Sequence, residues 1–285
     1  MTRNSRAEVQ KFVSSLSKKL ENIESLDLAQ LAYCLFLDEQ RHNEKHKPDA
    51  CRLDIVAMSL DDLKNKLKKT AHGLSTPNEL NTLPGIFYSE NPKPSGKLCF
   101  LFPGQGSQRV NMLRDLAIGF PDTQSHIEHA DDLLKRYFDK PLSGIIYPLP
   151  VFSEGERSTQ QKQLNATQVA QPAMGLVDLV AFDILACFGL QPEFVAGHSY
   201  GEYVALSAAG AISRDDLLRL SAIRGQIVYQ SSKNHPGTMA AVQVSADKTS
   251  AVIDEARLSV WLANLNAPNQ TIIAGEQNAI AKAVQ

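Results

Sequence analysis

Cysteine, tryptophan and net charge are all scarce in this sequence. The 285 residues hold four cysteines (Cys34, Cys51, Cys99, Cys187), far apart, with no CxxC pair and no Cys/His zinc spacing. A disulfide scaffold and a zinc module are thereby excluded, and free thiols in a reducing compartment are expected. The formal net charge of −2 leaves no basic footprint for a nucleic-acid partner. The lysines of LKNKLKK (63–69) read as one solvated helix face. The N-terminus MTRNSRAEVQKF lacks the apolar core of a signal peptide. No uninterrupted apolar run reaches the roughly 18 residues of a membrane span, so no membrane partner is expected and the cytoplasm is the expected location. Internal repeats and low-complexity tracts are missing as well. What remains is 43% hydrophobic and 21% charged, enough for a sizeable core in one large domain or two to three small ones.

Composition divides the chain. Residues 1–92 are charge-rich. EVQKFVSSLSKKLENI carries helical apolar spacing at Val9, Phe12, Val13, Leu16 and Leu20, and LDLAQLAYCLFL (26–37) is a second apolar helix. CRLDIVAMS (51–59) and GIFYSE are β-rich. SLDDLKNKLKK opens on a Ser59 cap, with acids in its first turn and lysines in its last, which complements the helix dipole. The linker NPKPSGK (91–97) closes this small α/β module.

From Lys97 the texture changes. KLCFLF reads as a buried strand, PGQGSQ as a tight glycine loop, and DTQSHIEHADDLLKRYF as a helix capped by Asp122. NATQVAQPAMGLVDLVAFDILACFG reads as one long apolar helix ending at Gly189, PEFVAG as a strand, and SRDDLLRLSAIRGQIVYQSS as a helix capped by Ser213. Alternating strands and helices imply a mostly parallel sheet covered on both faces. Residues 97–235 form this core. Residues 236–285 read β-α-β-β-α, a ferredoxin-like unit short of its last strand. The chain is therefore expected to stop inside a domain.

The chemistry gathers around Gly197-His198-Ser199-Tyr200-Gly201, a G-x-S-x-G between a strand and a helix. Its glycines permit the strained turn that exposes a nucleophilic hydroxyl. Ala205, Ser207, Ala208, Ala209 and Gly210 let the following helix lie close to the sheet. FPGQGSQ (102–108) follows the first strand of the same domain, and parallel strands end at one edge, so this loop and the elbow can meet. An oxyanion hole needs two N–H groups aimed at one oxygen, and the amides of Gln105 and Tyr200 are the candidates. A phosphate loop is the other reading of the glycines, but GxxxxGK[ST] and its lysine are missing. Arg224, among Leu217, Leu220, Ile223, Ile227 and Val228, is either a snorkelling surface residue or a buried anion clamp. Gln171 either lines the pocket or packs in the core with a satisfied amide.

FPGQGSQ, AQPA (170–173), GHSYGE and Arg224-Gly225, in that order and approximate spacing, resemble the malonyl-CoA:acyl carrier protein transacylases and the acyltransferase domains of polyketide and polyunsaturated fatty acid synthases. The resemblance covers Lys97 to Gln285. Residues 1–92 resemble the linker that precedes such domains, after a ketosynthase. It implies an α/β protein: a parallel-sheet hydrolase-like core, a ferredoxin-like small subdomain incomplete at the C-terminus, and an N-terminal α/β linker module. Ser199 would take the acyl group from a coenzyme A thioester as an ester and pass it to the phosphopantetheine thiol of an acyl carrier protein, with no bound cofactor and no metal. Gln105 and Tyr200 would supply the oxyanion amides. Arg224 would grip the carboxylate of a malonyl-type unit, and Gln171 would line the site. Asn264 and Asn266 resemble an asparagine-bearing strand facing the active site. Tyr200 replaces the glutamine often found there in methylmalonyl-selective domains, which favours malonyl-CoA. A ketosynthase domain is the further implied partner.

The base is missing from this picture. His42, His46 and His72 lie in the first module, His126 and His129 on a polar helix, and His235 in a loop. His198 adjoins the serine, but neighbouring side chains at an elbow diverge. In the resembled family the base is a histidine further downstream, so the expectation is a fragment with weak or no turnover. Two other readings stay open: an α/β-hydrolase-type esterase or thioesterase, and a non-catalytic docking fragment.

Overall fold

The computed structural model describes residues 1–45, 51–76, 80–90, 96–234 and 237–284, without the side chains of 42–45, 121 and 234. The chain forms two compact units, Met1–Gly96 and Lys97–Gln285.

In the first unit, strands β1 (Thr2–Arg3), β2 (Cys51–Ile55) and β3 (Ile86–Glu90) form an antiparallel sheet, with Cys51 opposite Glu90 and Ile55 opposite Ile86. Alternation puts Cys51 and Leu53, and Ile86 and Tyr88, on the buried face. Helices Arg6–Leu20 and Leu60–Gly73 cover that face through Val9, Val13, Leu63 and Leu67. Their starts are fixed by Ser5 and Ser59, whose hydroxyls accept from the amides of Glu8 and Asp62. Helix Leu28–Lys45 also forms as its pattern predicts.

In the second unit, β4 (Cys99–Phe102) and β5 (Phe194–Gly197) pair in parallel, Cys99 opposite Phe194 and Phe102 opposite Gly197. The long helix Thr167–Cys187 lies in the core against helix Arg214–Asn234. Gly225 allows this contact: a Cβ there would stand 2.8 Å from the Thr167 carbonyl oxygen. Strands β6 (Thr238–Val242), β7 (Val260–Ala267) and β8 (Gln270–Gly275) form an antiparallel sheet in the order β6-β8-β7. With helices Ala246–Glu255 and Gln277–Ala283, it packs around Val260, Ile273 and Ile280. This is the strand order of a ferredoxin-like unit without its fourth strand.

Several expectations need correction. Asp122 does not cap its helix; the helix runs Pro121–Leu134 with proline in its first turn, and Asp122 sits beyond the cap. The long apolar helix before Gly189 starts at Thr167, two residues after the expected Asn165, because Ala166 turns extended and separates it from a polar helix, Glu154–Asn165. That polar helix starts on a reciprocal Ser153/Glu156 capping box. Strand β4 is not buried throughout, since Leu101 is 76% exposed. The expectation of no uninterrupted membrane-length apolar run stands: Thr167–Cys187 is long and apolar enough to cross a membrane, but Asp178 and Asp183 interrupt it and most of it is buried inside the protein.

Candidate active site

Strand β5 ends at Gly197 and helix Gly201–Ala208 begins four residues later, leaving Ser199 exposed on the turn. Its backbone is left-handed, φ +54°. For a non-glycine residue this conformation is strained, and such strain is held only where the surroundings enforce it. Here the glycines do so. A Cβ on Gly201 would strike the Phe102 carbonyl oxygen, and one on Gly197 would strike the Gly201 backbone.

The glycine loop after β4 reaches the same point. The His198 amide donates to the Phe102 carbonyl over 3.0 Å. A Cβ on Gly104 would stand 2.6 Å from the His198 carbonyl oxygen and 3.1 Å from Ser199 Cβ. The backbone of FPGQGSQ therefore touches the turn that carries Ser199, as the strand-edge argument predicted. Among the described residues, neither the Gln105 N–H nor the Tyr200 N–H has a hydrogen-bond acceptor. Gln105 follows Gly104 and Tyr200 follows Ser199, so both N–H groups belong to the two turns that meet here.

Side chains hold the loop in place. The Gly106 amide donates to Gln108 Oε1 (2.7 Å), and Gln108 Nε2 donates to Asn165 Oδ1 (2.9 Å). Gln161 Nε2 donates to the same Asn165 oxygen (2.8 Å) and to the Gln108 carbonyl (3.3 Å). Gln105 Nε2 donates to Thr167 Oγ1 (3.2 Å), and Gln105 Oε1 accepts from Gln171 Nε2 (3.4 Å). Gln171 is 1% exposed, and its Oε1 is buried with no partner among the described residues. It is thus packed in the core and tied to the FPGQGSQ loop, with its amide only half satisfied.

Tyr200 points inward from the elbow and is 1% exposed. Its hydroxyl lies 2.6 Å from Ser221 Oγ, and Ser221 donates its own proton to the Leu217 carbonyl, so the tyrosine is the donor. Burial pushes the phenol pKa up, helped by the nearby Asp178 charge. Asp178 itself has a buried Oδ2 without a partner among the described residues, and burial pushes its carboxyl up to about 7. Gly175 makes room for the phenol, since a Cβ there would strike the Tyr200 hydroxyl.

Arg224 is half-buried on helix Arg214–Asn234, and no carboxylate pairs with it among the described residues. Its guanidinium carbon sits 5.3 Å from the centre of the Tyr203 ring. Asn264 and Asn266 are exposed on β7, and Asn266 donates to Gln270 Oε1 over 3.4 Å.

No described histidine side chain hydrogen-bonds to the Ser199 hydroxyl. His126 pairs with Asp183 at 3.2 Å and His129 with Asp215 at 2.8 Å. His72 bonds the Lys68 carbonyl. His46 and His235 lie outside the described residues, as does the side chain of His42. Among the described residues no group of His, Cys, Asp and Glu is arranged to hold a metal.

Sequence patterns alone did not single out Tyr203, Ser221, Gly175 or the Gln108–Asn165–Gln161 network. The signal for two of them was present: Tyr203 lies one helical turn past Ser199, and Ser221 one turn before Arg224.

Residues 99–285 match the family model described as acyl transferase domain. The chain is 34% identical to the malonyl CoA-acyl carrier protein transacylase of Bacillus subtilis over 189 residues, covering 65% of this chain and 55% of that protein. It is 33% identical to a polyunsaturated fatty acid synthase polypeptide from Thraustochytrium sp. over 204 residues, covering 68% of this chain but 7% of that protein. The solved acyl transferase domain of ZmaA matches all of this chain and 60% of its own, with a TM-score of 0.77 at 23% identity. This last likeness speaks to the fold. The chain spans less than two thirds of the length of each of these relatives.

Proposed function

The chain belongs to the acyl transferase domain family, and on that footing we propose that it moves a malonyl-type acyl group from coenzyme A through an ester on Ser199 to the phosphopantetheine thiol of an acyl carrier protein. The observation that carries this reading is the exposed, left-handed serine on a turn that the FPGQGSQ loop meets at Gly104, with the Gln105 and Tyr200 N–H groups free of acceptors among the described residues. In the first half-reaction the Ser199 oxygen attacks the thioester carbonyl carbon. The developing oxyanion accepts from the Gln105 and Tyr200 amides, the C–S bond breaks, and coenzyme A leaves as the thiol, carrying the proton given up by the serine hydroxyl. In the second, the carrier thiol attacks the ester carbon, the ester C–O bond breaks, and the thiol proton passes to the Ser199 oxygen, which restores the hydroxyl. Removing one oxyanion donor in such a site typically costs about 10²–10³ in rate. The Arg224 guanidinium forms a two-pronged hydrogen bond to the free carboxylate of the acyl unit, a geometry that suits its planar fork. Gln171 holds Gln105 from within the core.

The setting follows the same reading. Residues 1–92 act as a linker-like module beside a ketosynthase, 97–235 as the catalytic core, and 236–285 as the small subdomain. No cofactor is required beyond coenzyme A on the donor and phosphopantetheine on the carrier. A reducing, cytoplasmic location suits four free cysteines.

The test is incubation with malonyl-CoA followed by peptide mass spectrometry. A malonyl adduct on the Ser199 peptide, absent in Ser199→Ala and discharged by a holo carrier protein, is the expected result. Hydrolysis of simple p-nitrophenyl esters with no transfer to a carrier would instead mark an esterase. Carrier binding without any adduct would mark a docking module.

A further inference from the structure

Arg224 has no anionic partner among the described residues, yet it is not loose. It lies on the Tyr203 ring, and that ring stacks on Tyr200 with centroids 6.1 Å apart and planes at 15°. Tyr200 is buried and bonded to Ser221, one turn before Arg224 on the same helix. The contacts close a circuit from the elbow helix through two rings to the guanidinium, and back along helix Arg214–Asn234 to the phenol.

A long arginine side chain free in water samples many rotamers, and fixing it on binding opposes binding. A π face attracts the cation without accepting the paired N–H groups that a carboxylate needs. A ring at this position therefore orders the guanidinium beforehand and leaves its fork available.

We propose that Tyr203 is the positioning residue of the Arg224 clamp: stacked on Tyr200, it holds the guanidinium ready for the carboxylate of the acyl unit and so sets the preference for carboxylated over uncharged acyl thioesters. This rests on the malonyl-type reading above. It also places part of the selectivity on the nucleophile's own helix.

The experiment compares malonyl-CoA with acetyl-CoA by titration calorimetry on the full chain, in a Ser199→Ala background so that no ester forms. Without substitution at Tyr203, malonyl-CoA binds more tightly. Tyr203→Leu weakens malonyl-CoA by about 3- to 30-fold, the range of a cation–π contact between exposed and desolvated sites, and leaves acetyl-CoA within about twofold. Tyr203→Phe, which keeps the ring, restores the preference. An undiminished preference in Tyr203→Leu overturns the role of Tyr203 while the clamp stands. Equal binding of both thioesters, unchanged by Arg224→Ala, overturns the clamp and this proposal with it. Should Tyr203→Leu fail to fold, Tyr203→Met carries the same comparison, with far-UV circular dichroism confirming its fold.

Discussion

The Tyr200 hydroxyl donates to Ser221 Oγ across 2.6 Å, which fastens the residue after Ser199 to the helix that carries Arg224. The amide proposed for the oxyanion and the cation proposed for the substrate carboxylate are thus held by one buried contact. Tyr200→Phe should leave the ring stack and remove only the hydrogen bond. Loss of a buried donor whose partner stays typically costs about 1–3 kcal/mol. The expected result is a lower unfolding midpoint in urea with an unchanged m-value.

Gly175 offers a sharper test of the same neighbourhood. In Gly175→Ala the new methyl meets the Tyr200 hydroxyl, and overpacking of this kind costs about 1–3 kcal/mol. The double variant Gly175→Ala/Tyr200→Phe removes the colliding atom, and the nearest remaining ring carbon lies 3.6 Å from the methyl. Denaturant unfolding should show Tyr200→Phe recovering stability in the Gly175→Ala background, opposite to its effect alone. Additive losses would contradict the geometry.

Stability should fall as pH rises from about 4 towards about 7 and level off above it. The Asp178 carboxyl is pushed up to about 7 by burial, from an ordinary value of 3.8. Between these values the folded chain binds a proton that the unfolded chain has lost, so the contribution is fully present below about pH 4 and is lost as pH rises through about 7. Thermal melts between pH 5 and 8.5 should show the decline. Asp178→Asn, which cannot ionise, should flatten it. A parallel decline in both proteins would mean that other groups cause it.

Acylation of Ser199 by malonyl-CoA should be slow and should accelerate with added imidazole. The prediction follows from the described histidines, of which none reaches the serine hydroxyl, while His126 and His129 are held by carboxylates. A nucleophile without its base retains the contribution of oxyanion donors and binding, roughly 10³–10⁴ over water. Stopped-flow or quenched mass spectrometry gives the rate. Fast acylation indifferent to imidazole would point to His42, His46 or His235, and alanine at each would identify the base.

Much of this site was legible because its signals are local. G-x-S-x-G between a strand and a helix already specifies the left-handed serine, since only small flanking residues permit the turn. The meeting of FPGQGSQ with the elbow followed from parallel strands ending at one edge, and Gly104 against Ser199 is that meeting. What escaped depends on side-chain direction. Gln171 could be placed on a buried helix, but its tie to Gln105 needed the loop's course. Tyr203 drew no reading from the sequence, and its contact with Arg224 joins two residues 21 positions apart on different helices, a pairing that no periodicity announces. The burial expected of β4 failed for a related reason. An apolar run says that a strand can be buried, not that another element covers each face, and Leu101 stands 76% exposed.

The left-handed turn at Ser199 sets stability against chemistry at a single residue. A non-glycine side chain in that conformation is less stable than glycine by about 1–2 kcal/mol. Ser199→Gly should therefore raise the melting temperature while removing the nucleophile. Under selection for folding alone, glycine would be the favoured occupant of this turn; serine is the costlier residue there, and a hydroxyl is all it adds.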